Sequence, residues 1–211
     1  MSTAARTLCE MLADTLRWVG QMTQAETLLR ALAGASEESP SVAEFRSVAL
    51  PQRVAACYYD DARVLAQTHR ANAFAEALGP LTEHLRWTQT DSYVQSPPHE
   101  RFLERYAHAT ILGSQPSSAI LVDESRTAAV GVLLLGPNNQ YPHHQHYADE
   151  VYVPLTHARW SSGRREPYVD LPPGSTLHHQ SLQPHSVHTD DTSLLTLYLW
   201  TGDTTTSAWL C

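Results

Sequence analysis

The 211-residue chain contains no lysine; all 14 of its basic residues are arginine. Without a lysine amine there is no Schiff-base chemistry and no phosphate-loop lysine. Acidic residues number 22, which sets the formal charge at -8. That balance argues against nucleic acid as a partner, because phosphate backbones demand a positive field. Cysteine is scarce: Cys9, Cys57 and Cys211 are odd in number and far apart. A disulfide framework and a thiolate zinc site are both disfavoured by that spacing. Long hydrophobic runs are missing too. The longest, Ala128 to Leu135, is interrupted by Gly131 and is far too short to span a bilayer, so no membrane partner is expected. The N-terminus lacks a basic start followed by an apolar run and a cleavage site, so a cytoplasmic location is expected.

What the chain does have is enough apolar residue, 42%, and low enough charge, 17%, to fold around a core without staples. It also has 12 histidines, eight of them between His143 and His188.

The first half reads as helical. Leu8, Leu12, Leu16 and Val19 recur at steps of three and four, and Leu28, Leu29 and Leu32 follow, with Gly34 as a stop. Ala35 to Ser41 reads as a polar loop. Arg53 to Leu78 reads as one long helix ended by Gly79-Pro80, Leu81 to Trp87 as a short one, and Glu100 to Ala109 as a last amphipathic turn or two. From about Ser117 the period shortens. Apolar runs at intervals of roughly ten residues, bounded by Asp, Asn, Gly and Pro, suggest a β-sandwich or barrel. The expected organisation is a helical N-terminal region, residues 1–115, packed on a β-domain, residues 116–211.

The histidine-rich stretch runs Tyr141-Pro-His-His-Gln-His-Tyr-Ala-Asp-Glu-Val-Tyr152. His144, His146, Glu150 and Tyr152 are all even-numbered, so on extended chain they share one face. His185 follows about one hairpin later, after the turn Pro172-Pro173-Gly174. Imidazoles plus one carboxylate facing inward from a rigid sheet suit a divalent transition metal with open coordination positions. Zinc, iron, manganese, nickel and cobalt are all compatible with that donor set. His143, His178, His179 and His188 read as rim or surface residues, His157 as a hairpin-turn residue, and Tyr147, of opposite parity, as structural.

These residues resemble a known family. Gly136…His144-Gln-His146-Tyr-Ala-Asp-Glu150 is similar to the first cupin motif, and Pro173-Gly174…Gln183-Pro184-His185 to the second. Within cupins, Tyr141, Pro142, His144, His146, Glu150 and Tyr152 resemble the Tyr-Pro-x-His-x-His-x-x-x-Glu-x-Tyr segment of the cupin-type dimethylsulfoniopropionate (DMSP) lyases. Leu197-Tyr198-Leu199-Trp200 resembles the strand end that follows the Pro-His ligand in that family. The resemblance implies a mainly β fold, a cupin jelly-roll barrel preceded by helices. It implies one metal ion held by His144, His146, Glu150 and His185. Tyr152 and Tyr141 become the catalytic candidates, with Tyr152 as the base; Tyr141, Tyr198 and Trp200 become candidates for binding the substrate.

The implied reaction makes chemical sense of these residues. Releasing dimethyl sulfide from DMSP to leave acrylate requires loss of a weakly acidic proton alpha to the carboxylate. A divalent cation on the carboxylate stabilises the developing charge. A tyrosine, with a reference pKa of ~10, needs that cation nearby to act as a phenolate. Aromatic faces accommodate the sulfonium at about 0.5–2 kcal/mol each. Two other readings remain open: another cupin metalloenzyme such as a ferrous dioxygenase, and a non-catalytic small-molecule-binding cupin. Either a monomer or a homodimer is compatible with the sequence.

Overall fold

A computed structural model describes residues 2–37, 50–68 and 71–211. Helices α1 (Ser2–Trp18) and α2 (Met22–Gly34) form an antiparallel pair. Leu8, Leu12 and Leu16 of α1 are fully buried, as their spacing predicts. Val19 falls outside the helix and is 42% exposed, because the chain reverses at Gly20, whose φ of +84° only glycine adopts readily. Arg6 holds the pair together by donating to the carbonyls of Leu32 and Ala35, both at 2.8 Å, which satisfies the end of α2.

The expected loop over Ala35 to Ser41 holds a short strand, β1 (Ser36–Glu37); its later residues lie outside those described. The expected long helix is two helices, α3 (Leu50–Gln67) and α4 (Asn72–Leu78). Gly79-Pro80 does not end the helical path. Gly79 stays right-handed and a 3-10 turn continues over Gly79–His84, because proline is tolerated at a first helical position. A five-residue helix α5 (Asp91–Gln95) precedes the Pro97-Pro98 break.

Among the described residues, twelve strands make two sheets. After β1 come β2 (Tyr106–Gly113), β3 (Leu121–Val122), β4 (Ala128–Leu135), β5 (Asn139–Gln145), β6 (Asp149–Pro154) and β7 (Ala158–Ser161). The rest are β8 (Val169–Leu171), β9 (Leu177–His179), β10 (His185–Thr189), β11 (Leu194–Thr201) and β12 (Trp209–Leu210). The larger sheet runs β1-β3-β2-β4-β11-β6-β9 and the smaller β12-β5-β10-β7-β8. Together they form a cupin barrel with helices on one outer face.

After β1 the run of strands thus begins at Tyr106, ten residues ahead of the expected start at 116, and the amphipathic turns expected over Glu100 to Ala109 shrink to a 3-10 turn at Leu103–Arg105. Strand β2 hides its identity because both of its faces are covered, which removes the polar alternation that would mark a strand. Its neighbours show the two faces directly. Val130, Val132, Leu134, Leu195, Leu197 and Leu199 join the helices' core cluster, whereas Leu133, Leu135, Leu194 and Tyr152 face the barrel interior with Tyr93 and Tyr106. Pro172-Pro173-Gly174 forms the expected turn: Ser175 N–H donates to Pro172 O, with Gly174 at φ +84°.

Candidate metal centre

The even-numbered residues come together, but from two strands rather than one. His144 lies on β5 and His146 just beyond its end; Glu150 and Tyr152 lie on β6, in the opposite sheet. The parity rule holds within each strand, and the hairpin through Tyr147 and Ala148 folds one set over the other. His185 on β10 sits directly across from His144 on β5. In the larger sheet the pairing puts His179, Glu150 and Trp200 in one row, and Leu177, Tyr152 and Tyr198 in the next. Residues in a row share a face. Gly131, opposite Tyr198 on β4, makes room for that phenol: a Cβ there would collide with Ala109 O and the Tyr198 ring.

His144, His146, Glu150 and His185 are all buried. His146, Glu150 and His185 bring one ligand atom each to within 4.8 Å of one another. His144 stands beside this trio, its ring centroid 4.1 Å from that of His185.

The tautomers are set by the backbone. Nδ1 of His144, His146 and His185 each lies 2.9 Å from a carbonyl, of Pro142, Ala148 and Gln183 respectively. A carbonyl only accepts, so each Nδ1 carries the proton and each Nε2 is the free nitrogen. Nε2 of His146 is 2.9 Å from Glu150 Oε2 and that of His185 is 3.1 Å from the same oxygen. The His185 contact lacks hydrogen-bond geometry. Two imidazole lone pairs converging on a carboxylate oxygen repel unless a positive charge lies among them. Buried lone pairs with no donor to meet are what a cation site requires, and nitrogen, nitrogen and oxygen suit a divalent transition metal.

The electrostatics show how strongly this carboxylate attracts positive charge. Burial opposes ionisation of Glu150, but His146 and His185 outweigh it and hold the carboxyl well below its ordinary range. Burial likewise opposes charge on His146, and Glu150 overcomes it, raising that imidazole. His144 is held well below its ordinary value, by burial first and then by His185. Trp200 donates its indole N–H to Glu150 Oε1 at 2.7 Å, leaving Oε2 to the imidazoles.

Tyr152 is 4% exposed, and burial, then the Glu150 charge, push its phenol well above the ordinary value. Tyr141 packs its ring flat on His144, with centroids 3.8 Å apart at 4°, and donates its hydroxyl to Tyr93 at 3.2 Å. Tyr198 and Trp200 border the same cavity, of about 340 Å³, as Glu150, Tyr141 and Tyr152.

Sequence reasoning misplaced His179. It is fully buried rather than on the rim, with its ring stacked on His185 at 4.1 Å and 8° and its Nε2 3.2 Å from Ser162 Oγ. Burial, then His185, lower it to about 3. A three-residue strand carries too little pattern to reveal which way His179 points. His143, His178 and His188 are half-buried, and His157 is exposed. Tyr147 is 51% exposed, against Trp209. Tyr93, Tyr106, His108 and Asp91 also escaped sequence reasoning; all but Tyr93 line the cavity, and Tyr93 backs Tyr141.

A two-sheet barrel with buried histidines and one glutamate turned inward defines the class: a cupin with a candidate metal centre. The family model for dimethylsulfoniopropionate lyase matches residues 9–196, and the chain belongs to that family. The dimethylsulfoniopropionate lyase DddQ of Ruegeria pomeroyi is 31% identical over 106 residues; that alignment covers 50% of each chain, so the matched part spans about half of this relative's length. The crystal structure of DddQ from Ruegeria pomeroyi superposes with a TM-score of 0.69 at 21% identity, covering 100% of this chain and 97% of that one. A crystal structure from work on the DMSP lyases RdDddP and RnDddQII superposes at 0.62, with 21% identity and full coverage of both chains. These superpositions establish the shared fold. Among the described residues, no helix is long and apolar enough to cross a membrane.

Proposed function

We propose that the protein is a metal-dependent carbon–sulfur lyase that cleaves DMSP to dimethyl sulfide and acrylate. The observation that carries this reading is the placement of Tyr152 beside Glu150, on the cavity side of the same strand, with two imidazole Nε2 atoms converging on that carboxylate. His146, Glu150 and His185 would hold the ion, with His144 as the fourth donor. Bound there, a divalent ion supplies Lewis-acid stabilisation to the substrate carboxylate.

The chain's own residues do the rest. Tyr152 Oη takes the alpha proton, the C–H electron pair becomes the new carbon–carbon double bond, and the carbon–sulfur bond breaks with its pair going to neutral dimethyl sulfide. Alone, burial and Glu150 keep Tyr152 a phenol. Its basicity therefore depends on positive charge placed among the ligands, which couples proton abstraction to an assembled site. Tyr141 covers His144 and faces the substrate; Tyr198 supplies an aromatic wall, and Trp200 orients Glu150. The three cysteines are unpaired, in keeping with a reducing cytoplasm.

The test is an oxygen-free assay of protein loaded in turn with zinc, iron, manganese, nickel and cobalt, measuring headspace dimethyl sulfide and acrylate. Equal amounts of the two products are expected. Tyr152→Phe should lower the rate by about 10²–10⁴-fold, the usual contribution of a general base, while keeping bound ion. Product formed only in oxygen would replace the lyase with an oxygenase, and ligand binding without turnover would leave a binding protein.

A further inference from the structure

The cavity in front of Glu150 has room to spare. Its volume, about 340 Å³, equals on the order of ten water volumes of ~30 Å³, whereas DMSP has only eight non-hydrogen atoms. Its lining also includes Thr88, Thr90, Asp91, His108 and Gln115. Among the described residues no arginine lines the cavity, and the chain has no lysine. The acidic side chains in the lining are Glu150 and Asp91. Glu150 is engaged by His146, His185 and Trp200. Burial lowers the half-buried His108 to about 4 against the opposing pull of Asp91, so His108 adds no positive charge at neutral pH.

Asp91 is also held in place. It is the first residue of α5, and Thr90 just before it is tied three times: its carbonyl accepts from Tyr93 N–H at 2.9 Å and Val94 N–H at 3.0 Å, and its hydroxyl lies 2.7 Å from the Tyr106 hydroxyl. A carboxylate in the lining of a cavity that carries no arginine or lysine favours a ligand that is anionic at one end and cationic at the other.

Resting on the lyase reading, we propose that Asp91 is the specificity-determining residue for the cationic end of the substrate. It draws the onium head toward itself while the substrate carboxylate is held near Glu150. Neutral thioethers of the same length are thereby discriminated against. Because Asp91 is exposed, its attraction is screened by salt and moderate in size.

The experiment uses the metal-loaded protein and two probes, DMSP and 3-(methylsulfanyl)propionate, which keeps the carboxylate but carries no positive charge. Asp91→Asn should raise KM for DMSP about three- to tenfold at low salt with kcat unchanged, and Asp91→Glu should recover most of that loss. The difference between wild type and Asp91→Asn should shrink as salt rises. Inhibition by 3-(methylsulfanyl)propionate should be the same in all three proteins. An unchanged KM in Asp91→Asn, or equal weakening of both probes, overturns the proposal. If wild type does not turn DMSP over, the lyase reading fails by itself. Calorimetric affinities of the two probes then decide on Asp91 by the same criterion.

Discussion

In the smaller sheet, each site histidine is locked by its own stretch of chain. The Nδ1 protons of His144, His146 and His185 all go to carbonyls two residues away. In the larger sheet the opposite holds. Glu150 is oriented by Trp200 from β11 and crowded by His179 from β9, and Tyr152 lies beside Tyr198. Local hydrogen bonds fix which nitrogen each imidazole presents before the barrel closes. The carboxylate and the phenol acquire their environment only when distant strands pair. The first half of the site is therefore robust to change elsewhere in the fold, and the second is where single substitutions should tell most.

The sharpest break of this contrast is Glu150→Gln. It removes the one negative charge on which two imidazoles converge, and losing one partner of a buried charged group costs about 3–5 kcal/mol. Metal content by atomic emission should fall below about a tenth of wild type, and dimethyl sulfide release should disappear with it. Retained metal would show that the imidazoles suffice without the larger sheet.

Trp200→Phe is gentler, because the ring against His146 stays and only the N–H donor to Glu150 is lost. A hydrogen bond to a charged group is worth about 1.5–3 kcal/mol. We expect roughly a tenfold fall in kcat/KM with metal still bound. An unchanged kcat/KM would mean that Glu150 needs no orienting from β11.

The smallest effect is in stability against pH, and it compares His108 with His179, both in the larger sheet. Each is buried neutral, at about 4 and about 3 respectively, by burial above all. Their unfolded-state values lie near ~6.5. Below that, the unfolded chain binds protons that the folded chain refuses, so stability is present above about pH 6.5 and is lost as pH falls toward 4. Thermal unfolding followed at pH 7, 6 and 5 should show Tm dropping in the histidine range, ahead of the carboxylates. The drop should be smaller in His108→Gln. A Tm that holds steady down to pH 5 would contradict the neutral burial of both residues.

How much of this was legible in sequence follows from the range of the interactions. The two-residue period of extended chain is local, so His144, His146, Glu150 and Tyr152 could be grouped by parity alone. Parity said nothing of the hairpin that puts the two pairs on facing sheets. The first half of strand β2 was read as helical because its covered faces leave no alternation, and α3 and α4 read as one helix because Ala, Leu and Arg continue through both. His179 and Asp91 carried no signal at all. The first depends on the pairing of β9 with β6, and the second on where a five-residue helix docks against the barrel mouth.

Residue chemistry and short-range spacing were enough to establish the donor types, the phenol two positions from the glutamate, the missing lysine and the turn at Pro172-Pro173-Gly174. Those properties are written within a few residues of each other and survive any packing. Strand order, the stacking of His179 on His185, the indole on Glu150 and the place of Asp91 in the cavity lining belong to tertiary structure alone. Each joins groups that only β-sheet closure brings within contact, and contact across a sheet depends on register between segments whose separation along the chain leaves no trace in local pattern.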